Sequence, residues 1–493
     1  MASIPVRPCL RRVSRALAES NPRDTHAHLT NPLRRWTGST LPRASSSSPF
    51  STSTRLAAAA AASSTRRTGS TLKISRKSNA PTSGGKPPGR GERKAFRKKI
   101  VLSNANALEV DGLGELSPRA VADPAAHCRV LALPGAVVDQ LRLLGAFKPT
   151  QGWKYFRRPA TLMRAESLRL ASVVDGMAEG KEPFRAIVSG ERGTGKSALL
   201  TQAMAMALLK NWVVISIPDP KDLILGHTDY APLPDTEPQL YFQKAYTARL
   251  LYNTARANRD VLREHTVSQA HPGLPSSVSP DMTLDRFAQL GARDSDFAWP
   301  VFRALWAELT KPGLGRPPVM LALDGLASLA GPTEYLSADV KPIHALDLAQ
   351  VRHFFEQLAG RSLGGPLAAE QRLPNGGAVL AALSQSERPP RTHTAAVELA
   401  VAQNEARAAA AEGPPARPYD RDIDHRVYDA LREVRALKVG ALSREEARAL
   451  VEYYAKSGAL MAPVSEAFLA EKLALAGGGV VGELERGTVR AGL

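Results

Sequence analysis

The stretch Gly190-Glu191-Arg192-Gly193-Thr194-Gly195-Lys196-Ser197 fits GxxxxGK[ST] without a mismatch. The residue types suit one chemistry, the enclosure of a phosphate chain. Glycines let the backbone curl so that successive N–H groups point at a single anion. A helix beginning after the loop adds unsatisfied N–H groups and the positive end of its dipole. Lys196 supplies a cation to the outer phosphates, and the Ser197 hydroxyl can ligate Mg²⁺. The expected phosphate-binding set is therefore Gly190, Glu191, Arg192, Gly193, Thr194, Gly195, Lys196, Ser197 and Ala198. A second signature lies about 125 residues on, where Pro317-Pro-Val-Met-Leu-Ala-Leu-Asp-Gly325 reads as a buried strand ending in a carboxylate. Asp324 at that strand's end is the Walker B arrangement, and Ser197 and Asp324 are the expected metal ligands.

The elements that must position these groups are legible around them. Arg185 to Ser189 reads as a strand, and Ser197 to Leu208 as a helix with a stripe at Leu200, Met204 and Leu208. Trp212–Ile217 and Gly377–Ser384 read as further buried strands, with helices expected over 134–144, 161–177, 241–264, 296–309 and 344–358. The implied fold is α/β, a parallel sheet flanked by helices around a phosphate loop. Residues 101–415 form that core, with short β-like pieces expected near Val101 and Leu108. Residues 389–418 are expected to run partly over the surface. Residues 416–493 read as an all-helical lid, opened by the capping box Ser443-Arg-Glu-Glu446. Arg486 and Arg490 are lid cations that could face the nucleotide. Ser384-Gln-Ser386 is either a polar sensor of the terminal phosphate or a strand-ending turn.

No acid follows Asp324. Gly325 stands where an active ATPase of the AAA-like type carries the base that polarises water, and the nearest downstream carboxylate, Glu334, has no fixed place. Nucleotide binding with weak or absent hydrolysis is expected. No GxSxG, HExxH, CxxC or guanine-specific NKxD element is present.

The formal charge of +18 is concentrated in one place. Residues 1–100 hold 21 Lys/Arg against 3 Asp/Glu, and the remaining 44 basic and 44 acidic residues cancel. Residues 1–65, rich in Arg and Ser and nearly free of acid, have the composition of a mitochondrial transit peptide. Residues 66–100 mix Lys and Arg with Pro, Gly and Ser and cannot form a core, so a disordered basic arm able to contact polyphosphate is expected. The 2 cysteines, Cys9 and Cys128, exclude a disulfide framework and a Cys-based zinc site. No apolar run is long enough to cross a bilayer, so no membrane insertion is expected.

One further segment, Phe147-Lys-Pro-Thr-Gln-Gly-Trp-Lys-Tyr-Phe-Arg-Arg-Pro159, interleaves four aromatics with four cations. It either stacks on nucleotide or RNA, or anchors a loop to the core. That segment, the loop Gly190–Ser197, Leu323-Asp-Gly325, Leu442-Ser-Arg-Glu-Glu-Ala447 and Gly477-Gly-Gly-Val-Val-Gly-Glu-Leu-Glu485 together resemble the death-associated protein family of the mitochondrial ribosome's small subunit. The resemblance covers roughly residues 98–493. It implies an AAA-like P-loop NTPase core, bound GTP or GDP in preference to ATP, and Mg²⁺. It also implies contact with small-subunit rRNA, with neighbouring small-subunit proteins and, across the subunit interface, with the large subunit. The competing reading is a mitochondrial matrix P-loop NTPase acting as a switch or remodelling motor.

Overall fold

The computed structural model describes residues 100–180, 182–274, 278–279, 281–363, 372–383, 391–415 and 423–490, all in one compact unit. The expectations for the transit peptide, the basic arm and Ser384–Ser386 lie outside the described residues.

Five strands form a single parallel sheet: β1 (Phe184–Ser189), β2 (Val213–Ile217), β3 (Val319–Asp324), β4 (Gly377–Ala382) and β5 (Arg435–Lys438). Their spatial order is β5-β1-β4-β3-β2. β2, β3 and β4 are buried along their whole length, as a sheet covered on both faces requires. Strand alternation splits the core into two clusters, one per face. Ile187, Leu321 and Ile215 belong to one, and Val188, Ala322 and Val214 to the other.

Eleven helices of eight residues or more are described: α1 (Gly135–Leu143), α2 (Ala165–Gly180), α3 (Lys196–Leu209), α4 (Lys244–Ala257), α5 (Leu284–Arg293), α6 (Ala298–Leu309), α7 (Ala349–Ala359), α8 (Arg391–Ala408), α9 (Arg444–Lys456), α10 (Glu466–Leu475) and α11 (Val481–Thr488). Nearly every residue of α3 from Leu199 to Leu208 is buried, so this helix is apolar all round, as a helix packed inside a domain must be. Met204 and Met206 fill core.

Register fixes the geometry of the site. Ala382 of β4 pairs with Val188 on one side and Asp324 on the other. The loop after β1 and the carboxylate ending β3 therefore emerge at one edge of the sheet, two strand spacings or about 10 Å apart. Carboxyl ends of parallel strands are where such sheets bind ligands.

Several elements differ from the sequence expectation. No strand forms at Val101 or Leu108. The helix expected over 161–177 begins at Ala165, because Ala160–Leu162 pairs antiparallel with Val130–Ala132. Tyr241–Gln243 likewise pairs with Tyr230–Pro232, so α4 starts at Lys244. Pro342–His344 pairs with Pro332–Leu336, which delays α7 to Ala349. Each of these short strands is defined by a partner that a helical window does not see. Of the stretch 389–418 only part is surface: α8 buries Ala396, Val397, Ala400 and Val401 against the core, and the described residues after it, 409–415, are largely exposed. Its prolines flank the helix and never interrupt it. The stretch 416–493 is not all helical, because β5 is an edge strand of the main sheet beside β1. Four residues ending in charge, Arg435 and Lys438, give too short a pattern to read as a strand.

After β5 come α9, α10 and α11. The capping box is formed, with Ser443 Oγ accepting from Glu446 N and Glu446 Oε2 accepting from Ser443 N. Leu442, Ala447, Val451, Leu469 and Leu484 make a small separate core that includes Leu162 of the Ala160–Leu162 strand. The helical module is thereby seated on that antiparallel strand pair, beside the glycine loop.

Candidate functional site

The glycine loop has the backbone its sequence demands. Gly190 has φ +135° and Gly193 φ +86°, values that side-chain-bearing residues avoid. A Cβ at Gly190 would lie 2.4 Å from the Val439 carbonyl oxygen, and one at Gly193 would lie 3.1 Å from Val480 Cγ1. The Lys196 ammonium folds over the loop and donates to the carbonyls of Gly190 at 2.9 Å and Glu191 at 2.6 Å. Burial pulls the Lys196 pKa below its ordinary value, against the opposing pull of Asp324 and Glu191. Thr194 is turned inward, its hydroxyl donating to the Glu191 carbonyl.

The loop opens into a cavity of about 440 Å³. Arg192, Gly193, Gly195, Lys196, Ser197 and Ala198 line it together with Asp324, while Gly190, Glu191 and Thr194 form the loop behind it. The expected phosphate and metal residues are thus gathered around one space. Six cationic side chains line it (Lys148, Arg164, Arg192, Lys196, Arg486 and Arg490) against three carboxylates, Asp324, Glu483 and Glu485. The charge balance favours a polyanion. Glu334 is exposed on the Pro332–Leu336 strand and does not line the cavity.

Asp324 is 5 % exposed. Its Oδ2 lies 3.2 Å from Lys148 Nζ, whereas its Oδ1 is buried without a hydrogen-bond partner. An orphaned carboxylate oxygen in a cavity that Ser197 also lines fits a cation-binding role. Among the described residues no group of three or more His, Cys, Asp or Glu is gathered, so any metal here depends on ligand oxygens for the rest of its shell.

The aromatic-basic segment anchors its loop to the core, one of the two roles the sequence left open. Phe147 is buried and meets Trp153 edge-on at 5.2 Å, and the Trp153 indole donates to Gln151 Oε1. Phe156 stacks on Tyr454 of α9 at 5.5 Å, and both reach the cavity wall with Tyr453. Burial pushes the Tyr453 phenol up to about 12 and the Tyr454 phenol up as well, so both rings are neutral.

Arg164 and Glu446, to which the sequence gives no part in the site, help to build it, and Lys148 gains a partner there. Arg164, buried, donates to the Thr194 carbonyl at 2.8 Å and the Gly440 carbonyl at 2.9 Å, tying the glycine loop to the segment after β5. Glu446, read only as a cap, also accepts from the Ala165 amide at 3.0 Å and from His127, and faces Arg164 at 4.0 Å. Lys148 lay in the quoted segment without an assigned partner. Its signal was its place among cations and aromatics; the signal for Arg164 was absent, since its partners are far away in sequence.

The lid forms one wall of the cavity. Gly482 N donates to the Gly193 carbonyl at 2.9 Å, and Glu485 of α11 presses on Gly152. Arg486 pairs with Glu483 at 2.5 Å, and Arg490 with Glu485 at 2.8 Å and the Thr150 carbonyl.

Fold and site together define an α/β protein with a five-stranded parallel sheet and a cation-lined, glycine-looped cavity under a helical lid. Residues 161–487 match the family described as mitochondrial ribosomal death-associated protein 3, and the chain belongs to that family. It is similar to the small ribosomal subunit protein mS29 of Neurospora crassa, with 41% identity over 420 residues, 85% of this chain and 86% of that protein. It is also similar to the mS29 of Schizosaccharomyces pombe, with 21% identity over 371 residues, 74% of this chain and 72% of that protein. Family membership puts the chain in the mitochondrion, as the composition of residues 1–65 led one to expect. Among the described residues no helix is long and apolar enough to cross a membrane.

Proposed function

We propose that this protein is a structural constituent of the mitochondrial ribosome's small subunit that holds a guanine nucleotide as part of its fold. The observation that carries the reading is the cavity itself. A loop in which a Cβ at Gly190 would collide with backbone opens into a space with six cations and three carboxylates, flanked by a helix bonded to the loop. In this reading the sheet order β5-β1-β4-β3-β2 is that of an AAA-like P-loop core. The main-chain amides of Gly193–Ser197 and the Lys196 ammonium bind the phosphates, and the aromatic and aliphatic wall takes the base. Ser197 and the free Oδ1 of Asp324 are the groups that would hold Mg²⁺, which shields the phosphate charge when bound.

The nucleotide is kept rather than turned over. Gly325 follows Asp324, and Glu334, the carboxylate nearest downstream, is exposed and does not line the cavity. This weighs against the matrix NTPase switch or motor. The N-terminal 65 residues act as the transit peptide, and the basic stretch 66–100 contacts rRNA through charge that is blind to base sequence. Other surfaces meet neighbouring small-subunit proteins and the large subunit.

The test is sedimentation of a mitochondrial extract with the chain tagged. Co-migration with the small subunit, lost or reduced in K196A, is the expected result. A free pool or a self-assembled ring, unaffected by K196A, contradicts the reading.

A further inference from the structure

Lys148 stands beside the one carboxylate that a divalent metal would use. Its ammonium lies 3.2 Å from Asp324 Oδ2 and also donates to the Pro218 carbonyl at the end of β2. It comes from outside the sheet, on the connection between α1 and the Ala160–Leu162 strand, and that connection is fastened. The Lys148 amide donates to Gln151 Oε1 at 2.8 Å, the same oxygen takes the Trp153 indole N–H, and Phe147 is buried against Trp153. The ammonium is therefore held at the cavity rather than swinging in solvent. Lys196, the loop's own lysine, bonds instead to the carbonyls of Gly190 and Glu191. Lys148 is thus the ammonium in contact with the buried carboxylate, while Lys196 feels the same charge from the glycine loop.

In phosphate loops the metal ion usually supplies the charge that joins the outer phosphates to the acidic strand end. A lysine is a compact, strongly hydrated point charge that can do the same electrostatic work without ordering an attacking water. We propose that Lys148 is a resident cation of the nucleotide cavity, neutralising Asp324 and the outer phosphates so that nucleotide retention is nearly independent of divalent metal. The inference rests on the nucleotide reading above. Mg²⁺ bound at Oδ1 then adds to a neutralisation already in place.

The test is titration of the full chain with the fluorescent N-methylanthraniloyl derivatives of GDP and ADP, in Mg²⁺ and in EDTA. The wild type keeps its affinity within about 10-fold on chelation, while K148M loses about 30-fold or more in EDTA and recovers most of it in Mg²⁺, the scale expected when one partner of a buried charge pair is removed. Because K148M leaves Asp324 buried without its partner, K148M/D324N is measured beside it, and it too binds more weakly than wild type in EDTA. Wild-type binding that collapses in EDTA, or variants with wild-type affinity there, overturns the inference and leaves the nucleotide reading standing. A wild type that binds neither probe even in Mg²⁺ overturns both.

Discussion

The Gly482 amide donates to the Gly193 carbonyl at 2.9 Å, so the last helix is bonded to the middle of the glycine loop. The contact is backbone to backbone and close: a Cβ on Gly482 would lie 3.3 Å from both the Cα and the carbonyl oxygen of Gly193. Lid and loop cannot be repositioned independently, and a ligand held by one is enclosed by the other.

Gly482→Val tests that coupling. The added side chain has to push α11 off the loop, at a cost of about 1–3 kcal/mol for forced overpacking. The expected outcome is faster release of a bound guanine nucleotide, read by stopped-flow fluorescence, with the circular dichroism of the fold retained. Unchanged release would separate the lid from the site.

Arg164→Met tests the tie between loop and lid. Arg164 is 7 % exposed, holds the Thr194 and Gly440 carbonyls and stands between Glu166 and Glu446. Its removal strands a buried carboxylate and two carbonyls, a loss of about 3–5 kcal/mol in denaturant unfolding. Arg164→Lys keeps the charge but not the forked geometry and recovers only part of that.

How far the sequence revealed this site follows from distance along the chain. The glycine loop was legible because its chemistry is local, and Asp324 because an apolar run ending in acid is a local pattern. Arg164 reaches Gly440 across 276 positions, and no window contains both. Lys148 and Asp324 meet only because the connection after α1 folds over the edge of the sheet where β2 and β3 end. The strand β5 was missed because four residues at a sheet edge carry little periodicity. The helix α8 is hard to see in a segment rich in alanine and proline that does run partly over the surface, although its buried face repeats at helical spacing.

Glu446 gives a pH dependence. Burial raises its pKa, but the amides of Ser443 and Ala165, the Arg164 charge and the His127 bond outweigh burial and hold it below its ordinary 4.5. A depressed carboxylate contributes stability above the unfolded-state pKa and loses it as pH falls through the folded-state value. Glu446→Gln is therefore expected to be less stable than wild type at neutral pH, by about 1–3 kcal/mol. The gap narrows as the pH drops below 4.5, where wild type becomes protonated too. Thermal unfolding of both proteins across that window checks it; a gap that widens on acidification contradicts the assignment.

Lys196→Ala removes the ammonium that bonds to the Gly190 and Glu191 carbonyls and faces the cavity. A ligand present at a hundred times its dissociation constant stabilises the fold by about 2.7 kcal/mol, so losing it lowers the melting temperature of the nucleotide-loaded protein by about 2–5 °C. Adding nucleotide restores the wild-type value in wild type only.

The central claim is that the chain keeps a nucleotide within the ribosomal particle. It is tested most directly by acid extraction of purified mitochondrial small subunits, followed by chromatography and mass spectrometry of the released nucleotide, from wild-type and Lys196→Ala strains. The account predicts an equimolar guanine nucleotide that survives sedimentation and is missing from the variant particles. Wild-type particles that contain the chain but release no nucleotide would contradict it.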